Sequence, residues 1–307
     1  MTAWPTTEPT EVVLRAGDAQ LALDLRGGGL RSLVVGGWDV LDGYPAGVVA
    51  GGSRGAVLLP WPNRVRDGRW TWQDRELQLD IRSTEQPHAL HGLVAWQGWA
   101  ALEQAADRAT LGLTLEPRPG YPFRLAAALD YRLTPELLTV TVRVRNVGDD
   151  QAPVAVGMHP YLAVGATEDG GISAAELTVG ARTALLTDGG GLPTGGRQPF
   201  SGDVGRIGDT AFDTALTDLE RDADGWAQVR LRGTAGELEL AVDEQWPWLQ
   251  IYSGDQFPEG QHRRSLAVEP MTSPPNALAD HVDLLVLEPG GEWSGTWTLA
   301  WTPARGR

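Results

Sequence analysis

The sequence has no cysteine and no lysine: all 25 of its basic residues are arginine. The missing thiols exclude disulfides, thiolate nucleophiles and cysteine-based zinc sites. The missing amines exclude a Schiff-base lysine and the lysine of a phosphate-binding loop. Positive charge is also scarce, since 40 acidic residues bring the formal net charge to -15. A surface that reads phosphates needs clustered basic residues, so nucleic acid is not an expected partner, and neither is an anionic membrane face. No apolar run is long enough to cross a bilayer. The first residues, MTAWPTTEPTEVV, show neither a basic segment nor an apolar core of the kind a secretory leader carries, which points to the cytoplasm. Long helical periodicity is absent too.

What the chain has instead is alternation. Runs such as RATLGLTLEP, FRLAAALDYRL, LLTVTVRVRNVG, AQVRLRG, GELELAVD, WLQIYSG and GTWTLAWTP alternate apolar and polar residues, and Gly, Pro, Asp or Asn bounds them. That period belongs to half-buried antiparallel strands, and the 39 glycines and 21 prolines fall mainly between them, where turns need them. Many short strands at regular spacing predict an all-β fold, a large antiparallel β-sandwich with few short helices. The segment TSPPNALAD predicts one short helical turn, and the glycine-rich residues 187–205 a long surface loop. No linker or repeat divides the chain, so residues 1–307 are expected to form a single domain.

Four polar clusters interrupt the strands. LLPWPNRVRDGRW places Asn63 and Arg64 after two prolines that keep the segment out of a central ladder, and an arginine there offers a rigid fork of donors. PHALHGLVAWQGW holds His88 and His91, three apart. Their spacing suits a metal on a helix, but the segment reads as a loop entering a strand with no partner ligands, and no metal is expected. VGMHPYL ends an apolar run on His159, where an imidazole can be held rigidly as an acid or base. SLAVEPMTSPPNAL ends another such run on Glu269. A carboxylate there is costly unless paired or functional, and desolvation raises its pKa toward that of a usable base. Each cluster alone also fits a packed or solvated residue without function.

In this order, with the closing LEPGGEWSGTWTLAW, the clusters resemble the aldose 1-epimerases, or mutarotases, from Asn63 to Trp301. The resemblance implies the galactose mutarotase-like sandwich. It implies that Glu269 is the catalytic base, His159 the catalytic acid, His91 a second histidine bonded to the sugar, and Arg64, beside Asn63, a substrate-binding arginine. AFDTALTDL offers Asp213 as the substrate-binding aspartate, with Asp209 as a rival. Leu93 stands where many members carry a second glycine, HPYLAVG lacks the usual Asn-Leu, and EPMTSPPN replaces Glu-Thr-Gln, as in a bacterial subgroup. The reaction so implied interconverts the α and β anomers of a free hexose such as glucose or galactose by acid–base ring opening and closure. It needs no cofactor, and a monomer or homodimer would serve. Three alternatives stand beside it. One is a carbohydrate-binding or sugar-sensing protein without turnover. Another is a mutarotase for a phosphorylated or sulfonated sugar, which Arg54, Arg64 and Arg66 would serve. The last is a lyase or glycosidase, which usually needs a helical domain or a second catalytic carboxylate.

Overall fold

The computed structural model describes residues 10–48, 50–81, 87–165 and 171–304. The first nine residues, part of the stretch read as lacking a leader pattern, lie outside them. Two large antiparallel sheets dominate: one of nine strands and one of eight. Beside the middle strand of the nine-stranded sheet, Glu292–Pro303, lies strand Leu137–Asn146, which pairs with it on one side and with Leu125–Leu133 on the other. The alternation read from the sequence is visible here. Leu125, Ala127, Leu129, Tyr131 and Leu133 point into the core, while Ala126, Ala128, Asp130 and Arg132 face outward. Leu129, Val140, Leu240 and Trp297 of this sheet share one apolar cluster with Leu216, Leu249, Ile251, Leu266 and Val268 of the other, so the core lies between the two. The predicted helical turn is present at Ala277–Asp280.

The eight-stranded sheet differs at its centre. Strand Leu266–Met271 is buried at every position, and its sequence LAVEPM is correspondingly a short, nearly continuous apolar run. It pairs with Trp248–Tyr252 on one side and with two short strands, Gly157–Met158 and Tyr161–Leu162, on the other. The predicted surface loop at residues 187–205 is a correction. Strand Pro193–Pro199 forms an edge of this sheet by pairing with Ala181–Thr187, and Asp203–Arg206 pairs with Glu176–Val179 at an edge of the nine-stranded sheet. Edge strands tolerate proline and glycine, and Pro193–Pro199 buries no residue, so no apolar alternation marks it in the sequence.

Candidate active site

Strand register assembles the site. Gly157 lies opposite Met271 and Tyr161 opposite Ala267, and continuing that register brings His159 opposite Glu269. Pro160 has no N–H to give, but its carbonyl accepts the Val268 N–H at 3.1 Å, so the ladder survives the proline that ends the first short strand. On the other flank Gln250 is the register partner of Glu269, and Ala215 the partner of Gln250. Side chains directly opposite share a face, as do residues two apart. One face therefore carries a polar row: His159, Glu269, Gln250 and, diagonally, Asp213.

The distances follow that row. His159 Nε2 is 3.2 Å from Glu269 Oε1, and the two side chains are 5% and 2% exposed. Gln250 Nε2 donates to Asp213 Oδ1 at 2.5 Å, and Asp213 Oδ2 lies 3.7 Å from an Arg64 Nη. The Asp213 side chain retains 35% of its exposure, so this end of the row opens to solvent while the His–Glu pair forms the buried floor. Asp209, the rival aspartate, is exposed on the turn leading to this strand.

A second wall comes from the two loop motifs. Arg64–Val65 and Ala89–Leu90 pair as a short ladder. At its end the His91 N–H donates to the Asn63 carbonyl at 3.0 Å, and the Asn63 N–H donates to His91 Nδ1 at 3.1 Å. With Nδ1 accepting, neutral His91 carries its hydrogen on Nε2. Its ring meets that of His159 edge-on, with centroids 5.2 Å apart. The glycine after His91 is required. Its φ is +70°, and a Cβ would stand 2.2 Å from the Leu59 carbonyl oxygen. Asn63 also fixes Arg64, its Oδ1 accepting from the Arg64 backbone N–H at 2.9 Å and from Nη1 at 3.2 Å.

The segment after Glu269 holds the walls together. The Thr272 N–H donates to the Val156 carbonyl, and the Val156 N–H donates to Thr272 Oγ1, both at 2.9 Å. Asn276 donates its N–H to the Arg64 carbonyl at 2.7 Å and accepts the Arg66 N–H on Oδ1 at 2.8 Å. The departures TSPPN therefore brace the motifs that precede them.

Burial drives the electrostatics. It pushes the Glu269 carboxyl well above the ordinary carboxylate value, with Asp213 adding to the rise and Arg64 opposing it. It pushes the His159 imidazole down to about 3, and the Arg54 charge acts the same way against a hydrogen bond to the backbone. Both shifts favour the neutral forms, so one proton serves the 3.2 Å contact and rests on the carboxyl. Moving it across makes a carboxylate facing an imidazolium.

The six candidate site residues Asn63, Arg64, His91, His159, Asp213 and Glu269 lie together in this assembly. His88 does not. It accepts the Asp67 N–H elsewhere, and no cluster of three potential metal ligands occurs among the described residues. The three arginines of the anionic-sugar alternative do not converge as free cations: Arg54 is buried against Asp42, Arg64 faces Asp213 and Arg66 faces Asp188. Trp61, between the two prolines that precede Asn63, is 2% exposed and part of the core, so it offers no face to a ligand. Gln250 was missed. Its only signal is an amide inside the apolar strand WLQIY.

A family model described as aldose 1-epimerase matches residues 10–300. The chain belongs to the aldose 1-epimerase family. It is 32% identical over 285 residues to the Escherichia coli K12 protein YihR, covering 91% of this chain and 89% of YihR, a relative described as uncharacterized. Among solved structures, the GalM/aldose epimerase homologue from C. elegans superposes with a TM-score of 0.81 at 16% identity, covering 96% of this chain and all of that one. The galactose 1-epimerase from Lactobacillus acidophilus superposes at 0.79 and 18% identity, covering 96% and 95%. These two solved structures share the fold of this chain.

Proposed function

We propose that the protein is an aldose 1-epimerase that interconverts the α and β anomers of a free hexose, with Glu269 as base and His159 as acid. The observation that carries this reading is the buried His159–Glu269 contact of 3.2 Å at the foot of a polar row that opens through Asp213 and Arg64. Ring opening needs a proton taken from the anomeric hydroxyl and one given to the ring oxygen. The pair holds one proton and two sites for it, which suits that exchange. Glu269 takes the hydroxyl proton, His159 gives one to the ring oxygen, the ring C–O bond breaks and the anomeric carbon becomes a carbonyl. Rotation about C1–C2 and the reverse transfers close the ring on the other face. Oε2 of Glu269 is buried without a protein partner and is suited to accept a sugar hydroxyl. Arg64, Asp213 and the His91 Nε2–H hold further hydroxyls and fix the ring against the pair, and Asn63 holds Arg64 and His91 in register. No step needs a cofactor, and the chain serves in this reading as one domain.

Optical rotation of fresh α-D-glucose and α-D-galactose, followed near neutral pH with wild type, Glu269→Gln and His159→Gln, tests this. Wild type is expected to speed the approach to equilibrium, and each variant to be slower by about 100-fold or more, the scale of acid–base catalysis. Equal rates with wild type and Glu269→Gln would overturn the assignment. Acceleration of a phosphorylated or sulfonated hexose alone would replace the neutral sugar by the anionic one. Binding of hexose without acceleration would make the protein a sugar-binding member of the fold.

A further inference from the structure

We propose that Arg54 and Tyr161 are positioning residues for His159: a buried guanidinium anchored on Asp42 backs the tyrosine ring that stacks on the imidazole. The inference rests on the acid–base reading of His159 and goes beyond it, because neither residue belongs to the polar row.

The stack is built in layers. The Tyr161 ring lies 4.8 Å from the His159 ring at an interplanar angle of 12°. The Arg54 guanidinium carbon is 5.2 Å from the centroid of Tyr161 and 4.6 Å from that of Phe257, both within cation–π range. Arg54 Nε is 3.1 Å from Asp42 Oδ2, its Nη1 donates to the Gly51 carbonyl at 2.8 Å, and both ion-pair partners are 4% exposed. Asp42 is held in turn by Arg264 and by Ser265 Oγ at 2.8 Å. The same short segment also fixes the histidine backbone. The Gly55 N–H donates to the His159 carbonyl at 2.9 Å, and the His159 N–H donates to the Ala56 carbonyl at 3.0 Å. Tyr161 Oη closes the assembly on the Gly52 carbonyl at 2.8 Å. One turn thus places the cation, the ring and the imidazole.

A salt bridge serving stability alone needs no aromatic ring between it and the active site. Here the cation lies behind the ring on which His159 stacks, in a buried setting where charge is weakly screened. It opposes a charged imidazole and makes the imidazolium, once formed, a readier donor to the sugar. The titratable and charged groups facing His159 are Glu269 from the central strand, His91 from the opposite loop, Tyr161 from its own segment and Arg54 from the turn behind. Arg54 supplies the positive charge among them.

The test uses Arg54→Met, Arg54→Lys, Tyr161→Leu and Tyr161→Phe, each shown to be folded by circular dichroism, with mutarotation followed from pH 3 to 9. Arg54→Met leaves Asp42 paired with Arg264 and Ser265. It is expected to lower kcat roughly 10-fold with KM within about 2-fold, and to move the acid limb of kcat/KM up by roughly one pH unit, since one pKa unit is a tenfold change. Arg54→Lys restores part of both. Tyr161→Phe keeps the stack and stays near wild type, whereas Tyr161→Leu loses kcat. If Arg54→Met does not fold, the Tyr161 pair decides. Equal kcat in Tyr161→Leu and Tyr161→Phe, or an unmoved acid limb in folded Arg54→Met, overturns the inference. An inactive wild type would sink the epimerase reading itself, which separates the two failures.

Discussion

Glu269 sits 2% exposed in the middle of a strand whose other five residues are apolar or proline, so its ionised form would face burial without solvent. Its carboxyl is held well above the usual value. The folded chain therefore keeps this proton while the unfolded chain, titrating near 4.5, releases it. The group's contribution to stability is full below about pH 4.5 and is lost as pH rises through the folded value. His159 acts at the other end. Its folded value of about 3 lies below the unfolded 6.5, so its contribution is full above about 6.5 and is lost as pH falls toward 3. Glu269→Gln removes the first cost and keeps the shape of the side chain. It is expected to melt roughly 2 °C or more above wild type at pH 7, and to lose that advantage at pH 4. Calorimetry at both pH values checks this. A variant no more stable at pH 7 than wild type would mean that the carboxyl is ionised there, held by Arg64.

At the scale of elements, short clamps fix the loop residues that no ladder holds. Asn276 has φ 68°, accepts the Arg66 N–H and donates to the Arg64 carbonyl. Asn276→Ala strains the left-handed position by about 1–2 kcal/mol and strands a backbone N–H for about 1–3 more. We expect a destabilisation of about 2–5 kcal/mol in chemical denaturation and a higher KM, because the segment that carries Arg64 loses its clamp at the Arg66 N–H. Asn276→Gly relieves the strain but not the missing acceptor, so its stability should fall between the two. Equal stability of Ala and wild type would show the clamp to be idle. These clamps also mark where sequence reading stops. Period-two alternation announced the strands that bury one face. The family resemblance announced His159 and Glu269, which end apolar runs. What assembles them is register. Nothing local in APVAVGMHPYL says that position 159 falls opposite 269, or that Gln250 completes the row. The edge strand Pro193–Pro199 escaped notice because it buries nothing, so its composition reads as loop.

At the scale of the whole molecule, the charge of -15 is carried by many surface carboxylates, whereas the arginines of the site each lie against a carboxylate, Arg64 beside Asp213 and Arg54 beside the Asp42 that Arg264 shares. A large net negative field repels anionic ligands and leaves neutral ones indifferent, and salt at physiological strength screens it over about 8 Å. A neutral hexose reaching this site gains nothing from electrostatic steering. We therefore expect kcat/KM for glucose or galactose to change by less than about 2-fold between roughly 20 and 300 mM sodium chloride, since a neutral ligand leaves the screened field nothing to act on. An anionic sugar would behave otherwise: its kcat/KM should rise with salt as the overall repulsion is screened, or fall if local arginines dominate the encounter. Measured on one preparation with neutral and anionic hexoses side by side, a flat neutral curve and a sloping anionic one would fit a site built for uncharged sugars inside an acidic shell. A steep fall with salt for the anionic sugar, together with its faster turnover, would instead locate positive charge at the substrate's far end and move the specificity to that sugar.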